Sequence, residues 1–252
     1  MSGSGEGFWT ALPLGRGVAL LKNDRNGVAA FAKPSGVLSH PNKPGDEPRS
    51  LLDAPYVFDG EYYELGPSAD GAGGRLWLLN RLDSATSGVI LAVSVEALAS
   101  VIRDQFKRKQ VRKAYLALVF GKPPKEADLW RDRLAVEKRG GKIRTSDGAI
   151  PAESRMSVVR RGASHLPVSL IRLEPMTGRS HQLRVQCARR GLPIVGDQTY
   201  GDFARNREWA KQTGVKRMFL HSLETHFDYD FAGRINTFTA TAPLPPEFET
   251  FL

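Results

Sequence analysis

Residues Asn80-Arg81-Leu82-Asp83-Ser84-Ala85-Thr86-Ser87-Gly88 form the densest polar segment of the chain and lead straight into an apolar run, Gly88–Val93. A carboxylate at the edge of a buried strand has a fixed aim, which suits a nucleophile or a proton-transfer group. Asp83 could equally accept hydrogen bonds from Ser84–Ser87 and merely fix the turn. Cationic residues gather in three groups: Arg103, Lys107, Arg108, Lys109, Arg112 and Lys113; Lys138, Arg139, Lys142 and Arg144; and Arg179, Arg184, Arg189 and Arg190. Any one group reads as a solvated face. Three together favour a polyanion, because neutralising backbone phosphates releases counterions, so nucleic acid is the leading partner. His221 and His226 are poorly spaced for a shared metal and Cys187 is the single cysteine, so no metal is expected. No glycine-rich nucleotide-binding pattern occurs, and no cofactor is expected.

The elements that must position these residues follow from apolar periodicity. Val18–Leu21 and Val28–Ala32 flank Asn26-Gly27, a turn dipeptide, and predict a β-hairpin. Gly88–Val93 predicts a strand buried on both faces; Ser94 then caps a helix carrying Leu98, Val101, Ile102, Gln105 and Phe106 on one side. Lys113–Phe120 reads as a strand stopped by Gly121 and two prolines, with Tyr115 as a core tyrosine on residue type alone. Residues 122–150 read as a strand-poor excursion. Val168–Leu173 predicts another strand, and Thr177-Gly178 turns the chain into a short helix from near Ser180 to Gly191.

The 252 residues show no repeat and no interdomain linker, which suggests one α+β domain after a flexible segment 1–17. A net charge of +9 agrees with a polyanionic partner, and 41% hydrophobic residues exclude general disorder. One cysteine and no secretory signal point to the cytoplasm. The best membrane candidate, Gly88–Ile102, is broken by Ser94 and Glu96 and is too short to span.

Five ordered blocks then carry a family resemblance. NRLDSATSG resembles the HRLDxxTSG signature of the RluA-type pseudouridine synthases. Lys33-Pro34-Ser35-Gly36 with His40 resembles that family's KPxG block, and Lys113–Gly121 its KxYxAxVxG strand. Thr177–Gly201 is similar to its TGRxHQxR…GxPIxGDxxYG block, and Leu220-His221 with Pro243-Leu244-Pro245 resembles its terminal landmarks. Two positions depart: Asn80 replaces the usual His, and Asp228-Tyr229 replace a frequent His-Pro.

The resemblance implies an RNA pseudouridine synthase acting on ribosomal or transfer RNA without metal or cofactor, as a cytoplasmic monomer. It implies a catalytic domain over 18–252, built on a mixed, largely antiparallel β-sheet flanked by helices and loops, with no separate N-terminal RNA-binding module. It assigns catalysis to Asp83, to Tyr115 as ring platform and proton acceptor, and to Arg179 as partner of the carboxylate. Arg81 would fill the place of the flipped uridine. RNA contacts are expected from His181, Gln182, Lys107, Arg108 and Lys109. Alternatives are an inactive RNA-binding or RNA-folding protein on the same fold, or an RNA hydrolase using Asp83 and His181.

Overall fold

A computed structural model describes residues 6–67, 73–139, 142–162 and 167–250. In chain order it holds α1 (Glu6–Thr10), β1 (Ala19–Asn23), β2 (Val28–Lys33), a 3-10 turn (Glu47–Arg49), β3 (Tyr56–Val57), β4 (Tyr62–Pro67), β5 (Gly73–Leu78), β6 (Ser87–Val93) and α2 (Glu96–Lys107). Next come β7 (Arg112–Phe120), β8 (Ala127–Arg139), β9 (Lys142–Asp147), β10 (Ile150–Arg161), β11 (Val168–Pro175), α3 (Gln182–Arg189) and α4 (Phe203–Thr213). The last elements are β12 (Leu220–Phe231), β13 (Arg234–Thr241) and α5 (Glu247–Thr250). This is an α+β fold whose strand ladders are largely antiparallel. The chain forms two compact units, Met1–Val111 with Ser222–Pro243, and Arg112–His221 with Leu244–Leu252.

In the first unit, β6 is buried throughout and sorts its side chains by strand alternation. Val89, Leu91 and Val93 pack with Val28, Ala30, Leu98, Ile102, Phe227 and Phe238. Ile90 and Ala92 join a second core with Phe31, Leu51, Leu52, Tyr63, Leu76 and Leu78. The predicted β1–β2 hairpin is present. Asp24 Oδ1 accepts from the Asn26 and Val28 amides at 2.9 and 3.0 Å, and Gly27 takes the turn's left-handed φ of 95°. Gly88 must lack a side chain, because a Cβ there would lie 2.1 Å from the Ser222 carbonyl oxygen.

The structure corrects two expectations in this unit. Ser94 does not cap α2; the cap position is Val95, and Ser94 Oγ faces the Gly27 carbonyl at 3.4 Å. Of the N-terminal segment expected to be flexible, Glu6–Thr10 is helical, and Trp9 and Leu12 are buried in the second core.

In the second unit the strand order is β7-β11-β10-β8-β9. Residues 122–150, expected to be poor in strands, hold β8 and β9 and start β10. Their polarity misleads because the ribbon's inward positions include polar groups. Trp130, Leu134, Ala152 and Met156 are buried in it, but so is Ser154, whose hydroxyl donates to Gln186 of α3 at 2.8 Å. Asp132 accepts from Gln186 Nε2 at 2.8 Å and pairs with Arg189 and Arg190. Helix α3 starts at Gln182, close to the expected Ser180, after His181 in the left-handed region, and Gly191 follows its end with φ 66°.

Candidate active site

In the first unit the polar segment leaves the sheet at Asn80. Leu79 donates its amide to the Leu91 carbonyl at 3.0 Å, and Asn80 Oδ1 accepts from the Leu91 amide at 2.8 Å. The side chain thus supplies one more rung of the β5–β6 ladder before the chain departs. Asp83 follows on a tight turn, its main-chain carbonyl accepting from the Thr86 amide at 2.9 Å. The Asp83 side chain is half-buried, and its neighbour Arg81 is exposed.

Residues 33–39 clamp this loop. Lys33 is only 1% exposed, and its ammonium donates to the carbonyls of Val37, Pro34 and Ser84 at 2.7, 3.0 and 3.1 Å. The Gly36 amide also donates to the Ser84 carbonyl, at 2.7 Å. Ser35 Oγ donates to Ala85 O at 2.8 Å, while Ser39 Oγ donates to Leu82 O at 2.8 Å and accepts from Leu82 N at 3.0 Å. Main-chain groups on both sides of Asp83 are therefore held, and a buried ammonium bonded to carbonyl oxygens organises the turn.

In the second unit Tyr115 lies half-buried on β7, opposite Leu173 of β11. Beyond β11 the Thr177–Ser180 turn carries Arg179, which is exposed and donates Nε to the Pro151 carbonyl at 3.3 Å. Gln182 is buried, and its carboxamide is committed to this turn. Its Oε1 accepts from Thr177 Oγ1 at 2.7 Å and from the Arg179 amide at 3.1 Å, and its Nε2 donates to Glu153 O and Ser154 Oγ at 3.0 Å. Gln182 is thus a support for Arg179 rather than a group presented to solvent. His181 is half-buried, its Nδ1 sharing a 2.9 Å hydrogen bond with the Tyr200 hydroxyl.

The basic groups divide. Lys107, Arg108 and Lys109 are exposed, with Arg108 paired to Asp104 at 2.7 Å. Arg103, counted with them in the sequence, instead donates to the Leu78 and Glu61 carbonyls at 2.8 and 3.2 Å and braces β5 against α2. In the third group Arg184 is buried in a two-pronged pair with Asp197, at 2.7 and 2.8 Å. Burial alone would raise Asp197, but those bonds, the Arg184 charge and the Thr199 and Tyr200 amides hold its carboxyl below the usual range. The side chains of Lys138, Arg139, Lys142 and Arg144 lie outside the described set. Sequence reasoning also counted Lys113 as surface charge. It is half-buried, its ammonium lies over Gly178 beside Arg179, and burial lowers its pKa. Among the described residues no group of three or more His, Cys, Asp or Glu side chains could hold a metal, and no helix is long and apolar enough to cross a membrane.

A family model described as RNA pseudouridylate synthase matches residues 27–189, well over half of the chain and inclusive of the Asp83 loop and its Lys33 clamp. The chain belongs to the RNA pseudouridylate synthase family. It is 34% identical over 182 residues to the ribosomal large subunit pseudouridine synthase C of Pasteurella multocida, covering 70% of this chain and 53% of that protein. It thus spans about half the length of that ribosomal relative. Against the tRNA pseudouridine synthase C of Yersinia pestis it is 30% identical over 223 residues, covering 84% of this chain and 82% of that protein. In fold, this family member is similar to human RNA pseudouridylate synthase domain containing 1, with a TM-score of 0.66 at 23% identity over 92% of this chain and 86% of the other.

Proposed function

We propose that the chain is an RNA pseudouridine synthase, isomerising a uridine of ribosomal or transfer RNA, with Asp83 as the essential carboxylate. The observation that carries this reading is the clamp that holds the main chain on both sides of Asp83, within the part of the chain that the family model matches. The two relatives above are named for ribosomal and for transfer RNA, which supports the substrate class.

Isomerisation of uridine breaks the bond from N1 of uracil to the ribose, turns the ring, joins C5 to the same ribose carbon, and moves the proton of C5 away as N1 gains one. Atoms and electrons balance within the substrate, so no cofactor or metal is required. Asp83 supports the opening of the glycosidic bond, Arg179 supplies positive charge for the reaction, and Tyr115 holds the detached ring and accepts the C5 proton. Arg81 occupies the gap left by the extruded nucleotide. The catalytic part is taken to run over residues 18–252, acting as a cytoplasmic monomer.

Asp83→Asn keeps shape and removes charge. The variant is expected to bind RNA with unchanged affinity while pseudouridine disappears from the product, read by mass spectrometry of digested RNA. Equal product from both proteins would overturn the reading. Strand scission would point to a hydrolase.

A further inference from the structure

An aromatic cluster sits on the side of the first unit that carries the Asp83 loop. His40 stacks on Tyr56 with centroids 4.6 Å apart and planes 9° from parallel, and Phe58 meets both rings edge-on at 5.4 Å. Tyr56 rests in turn on Tyr63, centroids 5.0 Å apart. Tyr63 is buried and donates its hydroxyl to the Ser39 carbonyl at 2.8 Å, and Ser39 is the residue whose Oγ grips Leu82 beside Asp83. The rings and the Asp83 loop thus share one short chain of contacts. Phe58 itself is 56% exposed.

We propose that Phe58 is a stacking platform for an unpaired base of the RNA next to the target uridine, with His40 and Tyr56 fixing the ring from behind. The proposal rests on the reading of the chain as an RNA pseudouridine synthase. An exposed phenyl ring offers a π face and no polar tip, and bases stack on such rings whatever their identity. Its edge contacts with two other rings restrict it before any ligand arrives, which lowers the ordering cost of binding.

Charge around the patch is mixed, with Asp59 exposed beside Phe58 and Arg81 a nearby cation. Arg81 and Arg103 act electrostatically to lower Tyr56 and Glu61 to raise it, and Glu61 is engaged by Arg103 at 3.4 Å. Arg81 is exposed and makes no hydrogen bond or ion pair among the described residues. Burial, with Glu61 adding to it, pushes Tyr56 up to about 12, so the phenol is neutral and adds no anion to repel a phosphate. Three rings form too small an apolar area for a stable protein interface, which needs roughly 1,000 Å².

The test compares wild type, Phe58→Ala and Phe58→Trp by fluorescence anisotropy on a single-stranded oligouridylate of about ten nucleotides and on an abasic ribose-phosphate chain of equal length. Phe58→Ala is expected to bind the oligouridylate roughly tenfold more weakly and the abasic chain as wild type does, with an unchanged salt slope because the cations that neutralise phosphate are all still in place. Phe58→Trp should bind at least as tightly as wild type. Equal affinities of wild type and Phe58→Ala for the oligouridylate, an equal loss on the abasic chain, or no binding by wild type would each overturn the proposal. Turnover does not enter this comparison. If Asp83→Asn still made product, the catalytic assignment would fall while the stacking result stood.

Discussion

Asn80 shows how a single amide can end a strand and launch a loop. Its Oδ1 replaces a main-chain carbonyl as acceptor for Leu91, so the ladder continues one rung past the point where the backbone turns away. Asn80→Ala should leave the Leu91 amide without that acceptor and cost about 1–3 kcal/mol. Asn80→His offers a ring nitrogen as acceptor and should recover part of the loss. Urea melts of the three proteins read this directly, and equal midpoints for wild type and Asn80→Ala would refute it. The polar run 80–88 and Asp83 stood out in the sequence by residue type, but the groups that hold them did not. Lys33 stood out only as part of the KPxG-like block and Ser39 not at all, and neither could be tied to Ser84 or Leu82 before folding brings them together. Arg184, Arg189 and Arg190 looked like surface charge for the same reason, because their partners Asp132 and Asp197 are set by packing, and spacing in the sequence does not reveal a pair.

Among the elements, those built on apolar alternation were readable: the β1–β2 hairpin, the doubly buried β6, the apolar face of α2, and β7 and β11. The β8–β10 ribbon was not, since Asp132 and Ser154 take inward positions that a pattern reader assigns to solvent. Helix α3 closes this ribbon and is tied by Arg184 to Asp197. Removing one member of such a pair strands the other charge in the interior, so Asp197→Asn should cost about 3–5 kcal/mol at neutral pH. The pH dependence has a definite sign. A carboxyl held below its ordinary value of 3.8 stabilises the fold above that pH, and the contribution is lost as pH falls through the depressed folded value. The gap in melting temperature between wild type and Asp197→Asn should therefore narrow from about pH 6 to about pH 3. A constant gap would show that Asp197 stabilises by shape alone.

For the molecule as a whole, the count of 36 lysines and arginines overstates the cationic surface. Arg184, Arg189 and Arg190 neutralise carboxylates inside the second unit, and Arg103 is tied to carbonyl groups. Lys107, Arg108 and Lys109 remain exposed at the end of α2, though Arg108 already faces Asp104. Changing all three to Gln should weaken binding to single-stranded RNA and reduce its salt slope by about 0.7 for each phosphate no longer neutralised. Lys107 and Lys109 should account for most of the effect, and an unchanged slope would mark the run as a solvated helix end. The clamp on the Asp83 loop also bears on how this architecture is acquired and inherited. The Lys33 to Ser84 bond closes 51 residues of chain and the Ser39 to Leu82 bond 43, so neither repays its closure entropy until β2 has found β6. Residues 80–88 consequently have no shape of their own to transplant. Grafted alone onto another scaffold they would be a pliable peptide bearing an aspartate, and the smallest portable form of the site is a pair of distant segments together with the two strands that bring them to one place.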